Sequence, residues 1–425
     1  MRKYRLLMCS MFLCAGMVFN GCSEKEASKQ PESVNEETTE DGKKKDTITL
    51  RLWGAEEDAE ILKEMTDNFK STYANEANID IKIEAKAEAD CKNGLLGEVT
   101  KAPDVFTFAD DQVRSLIAGG VLEPIHYVDD VKSNNVEASV EAATINDKVY
   151  AYPITADNGY FMFYNKKYLS EQDVTSLDKI LEVADKEGKK VAMDWTSGWY
   201  LYSFFGQTGL KLSLNDDGVT NTCTWNSKDG KIKGIDVAKS MLSISSHKSF
   251  TSIEDKSFTE GLKNETVIAG VSGTWNATAA EQAMGKNYGA VKLPTYTCAG
   301  QQVQMASFAG YKMVGVNSYT ANREWAERLA NWIASEDNQK LRFVKRSQGP
   351  SNTKAAASDE VKNSLAIQAI LAQSEYSSLQ RVAEGYWDAT SAYGTAFIEK
   401  KATEETLQKL LDKMVKGITS LPSED

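Results

Sequence analysis

Two stretches near residue 50 have apolar side chains at every second position, which is the period of a β-strand. These are Ile48–Leu52 and Ile79–Ile83. Between them, residues 56–70 place apolar side chains on one helical face. A strand, a helix and a strand within about forty residues predict a βαβ unit in a largely parallel sheet.

The pattern further along the chain continues to mix short β-rich runs with helical stretches. The clearest segments are β-rich runs at 105–108, 149–154 and 160–164, and helical stretches at 323–344 and 403–418. No internal repeat is visible. The pattern therefore predicts an α/β fold with two lobes.

Composition and charge exclude several classes of function. The chain has 425 residues, enough for two or three domains, and a formal net charge of −12, which disfavours nucleic-acid binding. The only two histidines, His126 and His247, lack metal-ligand spacing, so we predict neither a metal nor another cofactor. GxSxG, HExxH, P-loop and GxGxxG motifs are absent, and we predict no catalytic residue.

The N-terminus has the three parts of a secretory signal. Basic residues occupy positions 2, 3 and 5, residues 6–19 form an apolar run too short to span a bilayer, and Gly21-Cys22 follow shortly after this run. This ending resembles a bacterial lipobox, which predicts a lipoprotein signal peptide over 1–21 and acylation of the Cys22 sulfur. The alternative is an ordinary secretory signal with an incidental cysteine.

Residues 22–45 are almost entirely polar and charged. Ala27 and Val34 are their only apolar side chains apart from Cys22. Such a segment cannot bury enough surface to offset the entropy of ordering it, so we predict a lipidated, disordered tether. A lipid, a tether and a folded body predict attachment to the extracellular face of a bacterial membrane, through the lipid alone.

Three cysteines remain after the signal peptide and Cys22 are set aside. They are Cys91, Cys223 and Cys298, an odd number that excludes a complete disulfide framework. A bridge between Cys223 and Cys298 and three free thiols both remain open.

The chain is rich in aromatic residues, with eight tryptophans and seventeen tyrosines. Trp199, Trp275 and Trp387 lie beside or close to glycine and polar residues in loop-like contexts. A sugar presents apolar C–H faces and a rim of hydroxyls, so its site needs flat rings together with carboxylates or amides. Trp325 and Trp332 instead follow a helical pattern and are assigned to the core.

A set of ordered motifs resembles a known family. They lie at 101–111, 116–125, 149–154, 163–169, 268–275, 288–294 and 385–387. In this order and spacing, they resemble family 1 of the bacterial extracellular solute-binding proteins, which contains the maltose- and maltodextrin-binding proteins. The resemblance covers about residues 48–420.

The resemblance implies a two-lobed, periplasmic-binding-protein-like fold with a ligand cleft between the lobes. The chain would cross a hinge three times, near Thr155, Ala309 and Gly349. The N-terminal lobe would then hold 46–155 with 310–349, and the C-terminal lobe would hold 156–309 with 350–425.

The resemblance also implies eight ligand-binding residues. Aromatic rings would stack on sugar faces, carboxylates would accept bonds from sugar hydroxyls, and two glutamates would lie in the first strand-to-helix loop. They are Phe108, Trp199, Trp275 and Trp387; Asp111 and Asp157; and Glu56 and Glu57.

The function implied is capture of an oligosaccharide, with maltodextrin favoured, for the permease subunits of an ABC importer. The protein would be a non-catalytic monomer. Two alternatives remain: a surface lipoprotein glycoside hydrolase, which needs two carboxylates at a defined separation, and an adhesion lipoprotein without a small-molecule site.

Overall fold

The computed structural model describes residues 45–421. The predicted signal peptide, Cys22 and residues 22–44 of the predicted tether lie outside the described residues. No helix within 45–421 combines the length and apolarity needed to cross a bilayer.

The first part of the fold alternates strands with helices from Asp46 to Thr155. Single-turn 3-10 helices directly follow or come shortly after its first three strands, at 56–58, 88–90 and 110–112. Its strands and α-helices are β1 (Asp46–Gly54), α1 (Ala59–Thr72), β2 (Ala77–Ala85), α2 (Cys91–Gly97), β3 (Val105–Ala109), α3 (Val113–Ala118), α4 (Val128–Asn134), α5 (Glu137–Ala142), β4 (Thr144–Ile145), β5 (Lys148–Val149) and β6 (Tyr152–Thr155).

The second part contains most of the remaining strands. Its elements are β7 (Tyr160–Asn165), α6 (Leu177–Lys186), β8 (Lys190–Ala192), α7 (Gly198–Phe205), β9 (Leu212–Leu214), β10 (Asn221–Cys223), α8 (Gly234–Ser246), β11 (Phe250–Thr251), α9 (Asp255–Lys263), β12 (Val267–Gly273), α10 (Ala277–Met284), β13 (Tyr288–Val291), β14 (Thr295–Cys298), β15 (Gln301–Gln304) and β16 (Ser307–Ala309).

The third part is mainly helical. Its elements are β17 (Lys312–Val316), α11 (Arg323–Ile333), α12 (Glu336–Arg346), α13 (Thr353–Ala356), α14 (Asp359–Lys362), α15 (Leu365–Ser374), β18 (Ser377–Leu379), α16 (Gly385–Ile398) and α17 (Leu407–Thr419). The predicted helical stretch at 323–344 is therefore two helices, separated by Ala334 and Ser335.

The first sheet has the strand order β2-β1-β3-β17-β6. β1 is parallel to β2 and to β3, which confirms the predicted βαβ unit. β17 enters from the third part of the chain and runs antiparallel to β3 and β6. The apolar positions that alternate along β1, such as Leu50 and Leu52, are fully buried against Ile61 and Leu62 of α1.

The second sheet has the order β11-β8-β12-β7-β13. β7 and β12 are buried at every residue, because helices cover both faces of the sheet. The core of this half also includes Tyr386 and Phe397 of α16, and Leu411 and Ile418 of α17. The final helices therefore pack on the second sheet, although α11 belongs to the core of the first.

Three connections between the halves lie side by side. The Ala156 amide donates to the Gly349 carbonyl at 2.9 Å, and the Asn158 amide donates to the Gly310 carbonyl at 3.2 Å. Two sheets with their own cores, joined at one place, give the two-lobed α/β fold that was predicted.

A buried ion pair anchors the turn after β1 to the third part of the chain. Asp58 and Arg342 are each 1% exposed and form a salt bridge, and Arg346 Nε lies 3.0 Å from Asp58 Oδ1. Asp58 closes the same single-turn helix that contains Glu56 and Glu57. The pair therefore fixes the position of a turn that reaches the region between the lobes.

Candidate functional site

A cavity of roughly 870 Å³ lies between residues of the first sheet's loops and residues of the second half. Its volume is in the range of ligand sites that enclose a molecule of several rings. Five of the eight residues predicted from the sequence line it: Glu57, Asp111, Trp199, Trp275 and Trp387.

Asp111 comes two residues after β3, in the single-turn helix 110–112. Its Oδ2 accepts a hydrogen bond from Gln380 Nε2 at 2.9 Å, while its Oδ1 is buried without a partner among residues 45–421. Burial raises the pKa of Asp111 to about 7, and the neighbouring charge of Asp110 acts in the same direction. The carboxyl group is therefore held at one oxygen and free to accept at the other.

Trp275 lies in a single-turn helix directly after β12. Its ring lies against the backbone of Gly273, where an added Cβ would be 2.0 Å from the indole. Glycine is needed there for close approach rather than for backbone freedom, because its φ is −106°. This close approach explains why the glycine beside the tryptophan was informative in the sequence.

Trp199 and Trp387 lie in the first turns of α7 and α16. The two helices approach closely, because the position of a Cβ on Gly198 would be 2.1 Å from Thr390 Oγ1. Tyr386 Oη donates to the Gly198 carbonyl at 2.8 Å and joins the two helix starts. Both indoles also pack near Phe308, with ring centroids 5.7 Å away for Trp199 and 6.3 Å for Trp387.

Polar contacts connect the loops of the first sheet with the segment that precedes α16. Lys92 Nζ lies 2.8 Å from Glu384 Oε2, and Arg381 Nη1 lies 2.8 Å from Asp110 Oδ2. The Lys92–Glu384 pair and the bond from Gln380 to Asp111 bring residues from distant parts of the chain to one side of the cavity.

Phe108 was predicted to stack on a sugar, and this prediction is wrong. Its side chain is fully buried in the first core, with its ring centroid 5.4 Å from that of Phe106. The reason is that β3 is a central strand covered on both faces, so its aromatic residues serve packing.

Asp157 and Glu56 also lie off the cavity wall, so the structure does not bring them together with the other predicted residues. Asp157 is buried and accepts a hydrogen bond from the Gly349 amide, so it braces two of the connections between the halves. Glu56 and Glu57 are both exposed, and neighbouring residues of a 3-10 turn project in different directions. Of the two glutamates, the turn brings only Glu57 to the cavity.

Sequence reasoning missed several residues of the cavity wall. Polar or aromatic side chains from five separate segments of the chain also line the cavity. Among them are Glu88, Lys92, Asp194, Tyr200, Asp255, Lys312, Gln380 and Glu384. Only Lys312 carried a local signal, as a charged residue at the start of an otherwise apolar strand. The others come together through tertiary contacts alone.

The structure tests whether side chains are placed to bind a metal ion and whether the cysteines form a disulfide. Residues 45–421 contain no group of three or more His, Cys, Asp or Glu side chains placed to hold a metal ion. Within the same residues, Cys91, Cys223 and Cys298 are free thiols, so the possible Cys223–Cys298 bridge is not formed.

Comparison with known proteins places the chain among binding proteins. The profile of a family described as bacterial extracellular solute-binding protein matches residues 64–369. The galactooligosaccharide-binding protein of Bacillus subtilis (strain 168) is 26% identical, with 94% of this chain and 95% of that protein covered. A maltooligosaccharide ABC transporter solute-binding lipoprotein of Streptococcus pneumoniae (strain ATCC BAA-255 / R6) is 26% identical, over 84% of this chain and 83% of its own.

Solved structures agree with this placement. A structure solved with acarbose has a TM-score of 0.80 and 29% identity, covering 88% of this chain and 99% of its own. The maltodextrin binding protein MalE1 from L. casei BL23, solved without ligand, has a TM-score of 0.72 and 23% identity, covering 88% and 99%. The family consists of binding proteins rather than hydrolases, which disfavours the glycosidase alternative. The chain belongs to the bacterial extracellular solute-binding protein family.

Proposed function

We propose that this protein captures an oligosaccharide, with maltodextrin favoured, for an ABC importer. The observation that carries the proposal is the composition of the cavity wall. Indole rings of Trp199, Trp275 and Trp387 line a cavity that is also lined by Asp111. One carboxyl oxygen of Asp111 has no hydrogen-bond partner among the described residues. Flat rings suit the C–H faces of sugars, and carboxylates accept from their hydroxyls.

The names of relatives support the same ligand class. They include proteins that bind galactooligosaccharide and maltooligosaccharide, and a structure solved with acarbose. A cavity of roughly 870 Å³ has room for a chain of several sugar units. The site is proposed to comprise Glu57, Asp111, Trp199, Trp275 and Trp387.

Closure of the two lobes on the ligand would couple capture to delivery. The proposed N-terminal lobe holds 46–155 with 310–349, and the proposed C-terminal lobe holds 156–309 with 350–425. Support comes from β17 in the first sheet and from α16 and α17 in the second core. A ligand that contacts both lobes favours the closed state by its differential affinity, and the permease subunits would recognise that state.

We further propose that the protein is a lipid-anchored monomer on the extracellular face of the membrane. The basic start, the apolar run and Gly21-Cys22 support acylation of Cys22. A relative from Streptococcus pneumoniae carries the name lipoprotein, which points in the same direction.

The test uses residues 22–425, expressed without the predicted signal peptide. Maltoheptaose is added while tryptophan fluorescence is followed, and the sugar is then examined by chromatography. We expect a saturable change in fluorescence, unaffected by EDTA, with the sugar recovered intact. Cleaved sugar would support the hydrolase instead, and no response to any of a panel of malto- and galactooligosaccharides would overturn the proposal.

A further inference from the structure

Glu88 and Lys312 form an ion pair on the wall of the cavity. Lys312 Nζ lies 2.6 Å from Glu88 Oε2, and the two side chains are only 10% and 11% exposed. Glu88 begins the single-turn helix after β2, and Lys312 begins β17. Because both residues line the cavity, this nearly buried pair faces the space that a ligand would occupy.

Lys312 is placed to remain charged. Burial alone would lower its pKa, but the carboxylates of Glu88, Asp58 and Asp157 outweigh burial and hold the pKa above the ordinary value. An ammonium group has three donors, and the contact with Glu88 occupies one of them. The remaining donors suit oxygen atoms of a ligand in the cavity.

Glu88 is fixed in position and only partly satisfied. Gln112 Nε2 donates to the Glu88 carbonyl at 2.8 Å, and Gln112 Oε1 accepts from the Lys92 amide at 2.8 Å, so Gln112 clamps the loop to the end of β3. Glu88 Oε1 is buried and has no hydrogen-bond partner among residues 45–421. A buried acceptor without a donor is unfavourable unless something in the cavity supplies one.

The same arrangement recurs at Asp111. One oxygen of Asp111 is held by Gln380, and the other is buried without a partner among the described residues. Two carboxyl groups are thus each held by one protein donor, and each keeps one oxygen for another donor. A polyhydroxy ligand offers several hydroxyl donors, whereas an anionic ligand would be repelled by these acids.

We propose that Glu88 and Lys312 are a specificity-determining pair of this site: Glu88 Oε1 accepts from a sugar hydroxyl, and the Lys312 ammonium donates to a sugar oxygen. The inference rests on the proposed function and extends it to residues that the sequence did not single out. Because a fixed pair of acceptor and donor discriminates between positions and orientations of hydroxyls, it would select among sugars rather than merely add affinity.

The experiment compares Glu88→Gln with Glu84→Gln in residues 22–425. Glu84 is a matched control, because its carboxylate belongs to the adjoining strand β2 but pairs with Arg51 away from the cavity wall. Affinities for maltotriose, maltoheptaose, galactooligosaccharides and monodeoxy derivatives of maltotriose are measured by calorimetry, together with melting temperatures. Lys312→Met is measured in parallel. If Lys312→Met does not fold, the result for Glu88→Gln alone decides the test.

We expect Glu88→Gln to lose about tenfold in affinity for the preferred sugar and to change the ranking of the sugars, because a charge-assisted bond becomes a neutral one. The loss should disappear for the one monodeoxy sugar that lacks the contacted hydroxyl. Glu84→Gln should leave both affinity and ranking unchanged.

Two results would overturn the inference while leaving the proposed function standing: unchanged affinity and ranking in Glu88→Gln, or an equal loss for every sugar with a lowered melting temperature. The second result would assign the pair a structural role. A wild-type chain that binds none of the sugars would overturn the proposed function and this inference together.

Discussion

The indole nitrogen of Trp275 donates a hydrogen bond to Asp255 Oδ2 at 2.9 Å. The other oxygen of Asp255 accepts from Ser272 Oγ at 2.8 Å. The carboxylate therefore links the end of β12 to the ring that follows it, and Gly273 leaves the space in which the ring lies. The orientation of this ring is set by the protein before a ligand arrives, which reduces the entropy lost on binding.

Replacing Gly273 with alanine tests whether the position of the ring matters. Its backbone conformation suits alanine, but the new Cβ would lie 2.0 Å from the Trp275 ring, so the ring must move. We expect oligosaccharide affinity to fall about tenfold with little change in melting temperature, since a misplaced platform loses its stacking contact. Gly97→Ala is the control, because its Cβ would meet no atom within 4 Å. Normal binding by Gly273→Ala would refute the role of this ring.

Alanine substitutions separate binding rings from core rings. Trp199→Ala, Trp275→Ala and Trp387→Ala should each lower affinity about tenfold to a hundredfold, because stacking and burial contribute about 1–3 kcal/mol for each ring. Calorimetric affinity and melting temperature are measured for each variant.

Trp332→Ala is the comparison for the three binding rings. Trp332 donates to the Met65 carbonyl at 2.9 Å and packs edge-on against Phe69. Its loss should destabilise the fold by about 3 kcal/mol and leave the affinity of the folded protein unchanged. The assignment is wrong if Trp332→Ala loses affinity alone, or if Trp275→Ala binds normally.

Asp58→Asn should destabilise the protein strongly. It removes the charge that compensates the fully buried Arg342, and breaking such a pair costs about 3–5 kcal/mol. The measurement is the free energy of unfolding from a denaturant titration. Asp67→Asn, which breaks an exposed pair with Lys63, should change it little. Equal effects of the two variants would show that the Asp58 pair does not anchor the turn.

Asp111 should make the unliganded protein less stable as the pH rises. Its pKa is raised from 3.8 to about 7 in the folded state by burial and by Asp110, although Arg381 and Lys92 partly oppose this. The folded state then binds the proton more tightly than the unfolded state, so stability falls as the pH rises from about 4 to about 7. Asp111→Asn should remove this contribution, and its stability relative to wild type should increase over that range.

Glu84 provides a control of opposite sign for the Asp111 measurement. Hydrogen bonds from Arg51 and Lys82 lower the pKa of Glu84 from 4.5 to about 2, so its contribution is present above pH 4.5 and is lost as the pH falls towards 2. Thermal unfolding of wild type, Asp111→Asn and Glu84→Gln from pH 2 to pH 8 checks both trends. A pH-independent difference between Asp111→Asn and wild type would contradict the raised pKa.

Cys22→Ala should release the protein from cells into the medium, because the acyl chains would be its attachment to the membrane. Fractionation of cells that express wild type, Cys22→Ala and Ser23→Ala, followed by detection of the protein in cells and medium, checks this. Ser23→Ala should remain with the cells. Retention of Cys22→Ala would refute lipid anchoring.

Local patterns in the sequence were sufficient to predict β1 and β2 of the first sheet, whereas β17 of the same sheet was not predicted. The alternation at Ile48–Leu52 and Ile79–Ile83 specified two strands, because one-sided burial has a period of two residues. The helical pattern at 323–344 did not reveal the break at Ala334 and Ser335, since two packed helices can continue one apolar periodicity. Ordered motifs supplied the family, and glycine close to tryptophan indicated three of the rings that line the cavity.

The roles of Phe108 and Asp157 depend on contacts with residues far away in the sequence, which a local pattern does not contain. Phe108 lies on β3, which becomes a central strand only because β17 pairs with it from more than two hundred residues away, as the pairing of Phe108 with Met313 shows. Asp157 was predicted to contact the ligand, but in the structure its carboxylate accepts a hydrogen bond from the Gly349 amide. Both outcomes are set by the crossings between the two halves of the chain.

The sequence by itself determined the α/β class, the family and the aromatic character of the site, because these depend on short-range periodicity and on ordered motifs. Only the tertiary structure decided which side chains share the cavity. The pairing of Glu88 with Lys312 and the approach of Gln380 to Asp111 join residues separated by more than two hundred positions. Such pairs form because the chain returns across the hinge. A buried ion pair, or a carboxyl group with one oxygen unpaired, is selective because it is shielded from water. That shielding exists only after both halves have packed.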